Sequence, residues 1–151
     1  MRNLLFLLLA GLSTFGCNTY SDEQKNQFIS EAENYAKKHH WNYEVLEGGL
    51  IVEILEKGTG TEKIQSGSEI EMEYKGQLTN GQKFDQTEPG KPFKSNLKGL
   101  IGGFQLGFLG QVKGTKLRMV VPPHLGYGDD ALDEIPANST LVFDVSIENV
   151  Y

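Results

Sequence analysis

Residues 69–85, EIEMEYKGQLTNGQKFD, decide the fold. Ile70, Met72 and Tyr74 alternate with Glu69, Glu71, Glu73 and Lys75, so a strand here has one apolar face and one charged face, the pattern of a sheet half buried on a core. Asn80-Gly81 is the dipeptide that best tolerates positive φ at both central positions of a type I′ turn, and it predicts a hairpin that returns residues 82–85 along the strand. Phe84 and Asp85 then come back beside Tyr74. From the residues alone this grouping has two readings: core packing with Asp85 capping a turn, or the wall of a site.

Outward from the hairpin the chain is written in short strands and glycine turns. Residues 50–56 and 116–121 read as strands, and Leu141, Phe143, Val145 and Ile147 alternate with Val142, Asp144, Ser146 and Glu148 in a long final one. Residues 86–92 form a loop, after which Phe93 re-enters extended chain. In GLIGGFQLGFLG (99–110), Leu100, Ile101, Phe104 and Phe108 stand at helical spacing, although Gly102, Gly103 and Gly107 each weaken a helix by roughly 1 kcal/mol relative to alanine. A short helix pressed on a sheet explains glycines there. One such helix framed by strands whose connections are too short for parallel crossovers is an α+β domain with an antiparallel sheet. The loop at 122–140, PPHLGYGDDALDEIPANST, is long for a compact domain, and loops of that length tend to be functional. Tyr127 lies in it between Gly126 and Gly128. Its phenol either reaches into whatever the loop overhangs or plugs the loop onto the core.

The chain has 151 residues, 38% hydrophobic and 23% charged, enough for one folded domain and an appendage. Its formal charge of −6, with no basic stripe, argues against a nucleic-acid partner. Three histidines and one cysteine, with His39 and His40 adjacent and His124 remote, do not space a metal site, and no metal or cofactor is expected. The start, MRNLLFLLLAGLSTFGC, combines Arg2 with a Leu-rich run too short to span a bilayer, which reads as an export signal over residues 1–17. Cys17 follows Gly16 where the signal ends, and this resembles the lipobox of bacterial lipoproteins, which implies lipidation of Cys17, an exported location and a lipid anchor in a membrane of the cell envelope. Cleavage without lipidation is the alternative, since Thr14 stands where that pattern usually carries Leu. So acidic a chain gains nothing from anionic lipid, and any membrane hold must come from acyl chains.

Residues 18–47 read as a polar tether and a helical arm. Ser21 and Gln24 form a capping box, Asp22 and Glu23 occupy the first turn, and Lys37, Lys38 and His39 occupy the last. Phe28, Ala32, Tyr35 and Ala36 make one thin apolar stripe, consistent either with docking on the domain or a partner or with a solvated, frayed helix. The stripe is too thin to complete a core, so the arm is expected to be dispensable for folding.

The runs YKGQLTNGQKFDQT, GKPF, VKG, VPPHLGYG and IPANSTLVFDVSI, in this order, resemble the FKBP-type peptidyl-prolyl cis-trans isomerases, and GLIVEILEKGTG is similar to the strand that opens their domain. The resemblance covers residues 48–151. It implies an antiparallel five- to six-stranded sheet half-wrapped around one short helix, with a proline site between them. It also implies acceleration of X-Pro rotation in proline-containing polypeptides, and binding of macrolide inhibitors. The matching positions imply a pocket of Tyr74, Phe84, Asp85, Phe93, Leu100, Ile101, Phe104, Tyr127, Ile135 and Phe143, which makes Asp85 a pocket residue. Among these Tyr127 and the Ile101 N–H are assigned to hold substrate carbonyls, Phe143 to wall the reacting bond, and Asp85 to orient the field. Phe104 stands where the family usually has Trp, and residues 129–134 are acidic where relatives often carry glycine and apolar residues. The rival readings are a noncatalytic module that holds proline segments and a purely structural envelope protein. Carboxylate-based hydrolysis is disfavoured because no motif places a second acid beside Asp85.

Overall fold

The computed structural model describes residues 20–151; the stretch read from sequence as an export signal, with Cys17, lies outside the described residues. Helix α1 (Asp22–Lys38) precedes strands β1 (Glu44–Val45), β2 (Ile51–Glu56), β3 (Glu69–Leu78), β4 (Lys83–Gln86) and β5 (Phe93–Asn96). Helix α2 (Gly102–Phe108) and strands β6 (Lys116–Val121) and β7 (Leu141–Val150) follow. All pairings are antiparallel, in the order β1-β2-β6-β7-β3-β4, with β5 also on β3. The class is α+β as expected, but the sheet has seven strands where the sequence implies five to six. The outer edge of β3 is shared, with β5 pairing residues 69–72 and β4 pairing residues 75–77. Such short partners are hard to tell from loop in a sequence, as is the two-residue β1.

The hairpin turn differs from the type I′ expectation. Asn80 has no positive φ, and only Gly81 does, at 88°. The Gly81 N–H donates to the Leu78 carbonyl and the Leu78 N–H to the Gln82 carbonyl, so the turn is completed by a glycine bulge in which Asn80 Oδ1 accepts from the Gln82 N–H at 2.9 Å.

Strand alternation sends neighbouring residues to opposite faces. On one face Met72, Leu117, Met119, Val121, Phe143, Val145 and Ile147 join Phe104 and Phe108 of α2 in the main core. On the other, Ile51, Val120 and Val142 lie under Ala32 and Ala36 of α1, both fully buried. The arm is therefore docked, not solvated. Its capping box is formed, with Ser21 Oγ accepting from the Gln24 N–H and Gln24 Oε1 from the Ser21 N–H. Ile29 settles on Gly49, where any Cβ would stand 2.2 Å from it. The reading of the stripe as too thin to complete a core is corrected: it closes a second buried cluster, and two alanines suffice because a small side chain brings the helix flush with the sheet.

Candidate functional site

The pairing of β3 with β4 slips by one residue: Gly76 faces Asp85 and Gln77 faces Lys83, leaving Phe84 as the extra residue of a bulge. A regular strand would send Phe84 and Asp85 to opposite faces. With the bulge, Phe84 is buried edge-on to Phe143 (centroids 5.6 Å apart, 84°), and Asp85 Oδ2 accepts from the Tyr74 hydroxyl at 2.5 Å. The other carboxylate oxygen accepts from the Gln86 N–H at 2.8 Å. Asp85 thus accepts from two donors beside the aromatic residues that the resemblance groups with it.

Gly76, two positions after Tyr74, makes this crowding possible. A Cβ there would come within 2.7 Å of the Phe84 ring and 2.8 Å of the Phe143 ring. Sequence reasoning missed its role, although the Y-x-G spacing was the available signal.

The rings form a continuous cage. Phe104, fully buried on α2, meets Phe143 at 4.7 Å and 73° and Tyr74 at 6.5 Å and 72°, while Phe93, at the start of β5, meets Tyr74 at 6.3 Å and 84°. Edge-to-face pairs of this kind add about 0.5–1.5 kcal/mol each beyond their buried area. Ile101 is the N-cap of α2, and its carbonyl accepts from the Phe104 and Gln105 N–H groups, whereas no hydrogen bond among the described residues uses its own N–H. Leu100 is fully buried behind it, its carbonyl accepting from Gln105 Nε2 at 2.7 Å. Ile135 is buried in the same core and is bridged to Leu132 within the long loop.

Tyr127 packs half-buried against this core. Burial, and then the Asp85 carboxylate, push its phenol up to about 12. Burial, the hydrogen bond to Asp85 and the charge of Asp85 raise Tyr74 well above the ordinary phenol range. Both hydroxyls therefore stay protonated at neutral pH and can donate. The nine other residues named from sequence for the pocket all lie in or against the main core. No three His, Cys, Asp or Glu side chains gather among the described residues to hold a metal. The chemistry the arrangement offers is a contiguous set of aromatic rings with one oriented carboxylate and hydrogen-bond donors, suited to an apolar ring beside an amide.

Comparison with known proteins agrees with this geometry. The family model of the FKBP-type peptidyl-prolyl cis-trans isomerases matches residues 60–148. FkpA of Buchnera aphidicola is 42% identical over 103 residues, 68% of this chain and 41% of that protein. FK506-binding protein 3 of Candida albicans is 42% identical over 113 residues, 74% of this chain and 26% of its own length. The chain thus spans less than half the length of these curated relatives. Among solved structures, FkpA from Escherichia coli aligns with a TM-score of 0.69 at 31% identity, covering 85% of this chain and 63% of that one. A peptidyl-prolyl cis-trans isomerase from Pseudomonas syringae aligns at 0.71 with 26% identity, covering 89% and 98%. With the family model matched over more than half of its length, the chain belongs to the FKBP-type peptidyl-prolyl cis-trans isomerases.

Proposed function

We propose that this chain accelerates rotation about X-Pro bonds in polypeptides exported to the cell envelope, and that the observation carrying this reading is the aromatic cage closed around the Tyr74–Asp85 pair. Rotation of an X-Pro bond faces roughly 18–20 kcal/mol and takes tens to hundreds of seconds unaided. The twisted amide has lost its resonance and is less charge-separated than either planar form, so a cavity that strips water from the carbonyl favours it. Raising the rate to about a thousand per second takes on the order of 7 kcal/mol, whereas one neutral hydrogen bond contributes roughly 0.5–1.5. Desolvation by Phe84, Phe104 and Phe143 acts together with donation from Tyr127 and the Ile101 N–H to substrate carbonyls. Asp85 orients the field without taking a proton. The relatives named for FK506 support macrolide binding in the same cavity.

An isomerisation assay on proline tetrapeptides tests the activity. Acceleration that a macrolide of the FK506 type suppresses is the expected result; saturable peptide binding with no acceleration would make the chain a holding module. The Leu-rich start and the placement of Cys17 support export and a lipid anchor. Incorporation of a fatty-acid probe that a Cys17→Ala variant loses is expected, and equal labelling of the variant would refute the anchor.

A further inference from the structure

The loop 122–140 carries both Tyr127 and Ile135, and α1 with the residue before its cap touches that loop at its two ends. At the first end, the Phe28 ring stacks on His124 (centroids 6.3 Å apart, 24°), whose Nε2 donates to the Gly48 carbonyl at 2.7 Å. At the second, the Tyr20 hydroxyl donates to Asn138 Oδ1 at 2.5 Å. Tyr20 itself is buried, edge-on to Phe28 at 5.1 Å and 89°. Asn138 holds a left-handed backbone (φ 60°), and its N–H donates to the Gly128 carbonyl at 2.8 Å. That bond ties the end of the loop to the residue directly after Tyr127. Gly128, also at positive φ (64°), comes so close that an added Cβ would lie 3.6 Å from the Tyr20 hydroxyl.

A left-handed asparagine costs conformational energy that something nearby must offset, and here its side chain is held by Tyr20. Burial, with the charges of Asp129 and Asp130, keeps the Tyr20 phenol above its ordinary range, so it remains a donor. The chain of contact runs from Tyr20 to Asn138, from Asn138 to Gly128, and from Gly128 to its covalent neighbour Tyr127.

We propose that Tyr20 is a positioning residue of the isomerase site: through Asn138 it holds the Gly126–Gly128 turn so that Tyr127 stands ready over the cavity. The inference rests on the activity proposed above. If the hydroxyl is lost, the loop samples conformers that cannot bind substrate, and the apparent affinity falls by the fraction that remains competent. The effect therefore appears in KM and not in kcat.

The test uses the full chain with Tyr20→Phe, which keeps the ring and removes one donor, together with Asn138→Gly, which keeps the backbone conformation, and the double variant. Three readouts are taken: amide hydrogen exchange, the thermal transition, and kcat and KM on a proline tetrapeptide. Tyr20→Phe is expected to speed exchange of the Asn138 amide about fivefold. It should raise KM by a similar factor with kcat nearly unchanged, while the Val145 amide in the sheet keeps its protection. The double variant should be no worse than Asn138→Gly alone. Unchanged exchange at Asn138, or an unchanged KM, would overturn the proposal, as would two single effects that simply multiply. If the wild type proves inactive, the activity reading fails by itself; exchange at Asn138 and the Kd of the tetrapeptide then decide the positioning role by the same criteria.

Discussion

The two helices sit on opposite faces of the same strand, β6, and both do so through small residues four apart. On the outer face, Ala32 and Ala36 of α1 lie on Ile51, Val120 and Val142. On the inner face, Gly103 of α2 is pressed on Val121 and Gly107 on Met119, where added Cβ atoms would fall 2.6 and 2.5 Å from those side chains. The difference is what each helix does with its remaining surface. The seventeen-residue α1 has its own capping box and several helix formers, and it closes its face with small side chains. The seven-residue α2 carries three glycines and could not persist alone, but its glycines bring the backbone so near the sheet that Phe104 and Phe108 fill the space beside it. Glycine contact therefore builds a site on one face, and alanine contact builds a seal on the other.

Removal of residues 18–43 breaks the comparison most severely. It uncovers Ile51, Val120 and Val142, which at roughly 1.5–3 kcal/mol per fully buried side chain gives a loss on the order of 3–6 kcal/mol after allowance for partial exposure. A thermal scan should show a melting temperature lower by about 10–20 °C. An unchanged transition would mean that the seal contributes nothing and that only the inner face holds the fold.

Phe104→Ala should cost about 3–5 kcal/mol in denaturant unfolding and abolish turnover, because the ring belongs at once to the core and to the cage. Retained turnover would detach the cage from catalysis. A finer cut comes from exchanging the small residues. Gly103→Ala overpacks against Val121 and should destabilise by about 1–3 kcal/mol despite its better helix propensity, whereas Ala36→Gly should cost only about 1 kcal/mol, from propensity and lost contact. If Gly103→Ala were stabilising, the close approach of α2 would not be what selects glycine.

The smallest effects separate polar from apolar contributions in the cage. Tyr127→Phe keeps the ring and should lower kcat/KM about fivefold, the worth of one hydrogen bond. Turnover should be level across neutral pH, since the Tyr127 phenol holds its proton up to about 12. In the unfolded chain the phenol titrates near its ordinary value of about 10. The contribution of the protonated phenol to stability is therefore complete below that value and is lost as pH rises from there toward about 12. A bell-shaped rate profile near neutrality would reveal a general acid or base and defeat the desolvation mechanism.

Much of this arrangement was legible in the chain itself. Period-two alternation marked β3, β6 and β7, the capping box marked the start of α1, and the runs around Tyr74, Phe84, Asp85 and Tyr127 marked residues that the fold gathers in or beside the main core, because each signal resides in residues close in sequence. The turn at Asn80-Gly81 was placed correctly but typed wrongly: a dipeptide that permits two positive φ angles does not oblige the chain to use both.

What only the tertiary structure decided is how distant segments share space. The Phe84 bulge depends on the register of β4 against β3, and that register places Asp85 on Tyr74 when simple alternation would turn it away. The docking of α1 depends on Ile51, Val120 and Val142 forming one surface, although they come from three different strands, β2 being remote in sequence from β6 and β7. The same is true of Tyr20 on Asn138, separated by 118 positions. Local sequence determines which conformations each segment prefers and which face of it is apolar. Which of those faces meet, and how closely, is set by steric fit among side chains that no short-range pattern relates.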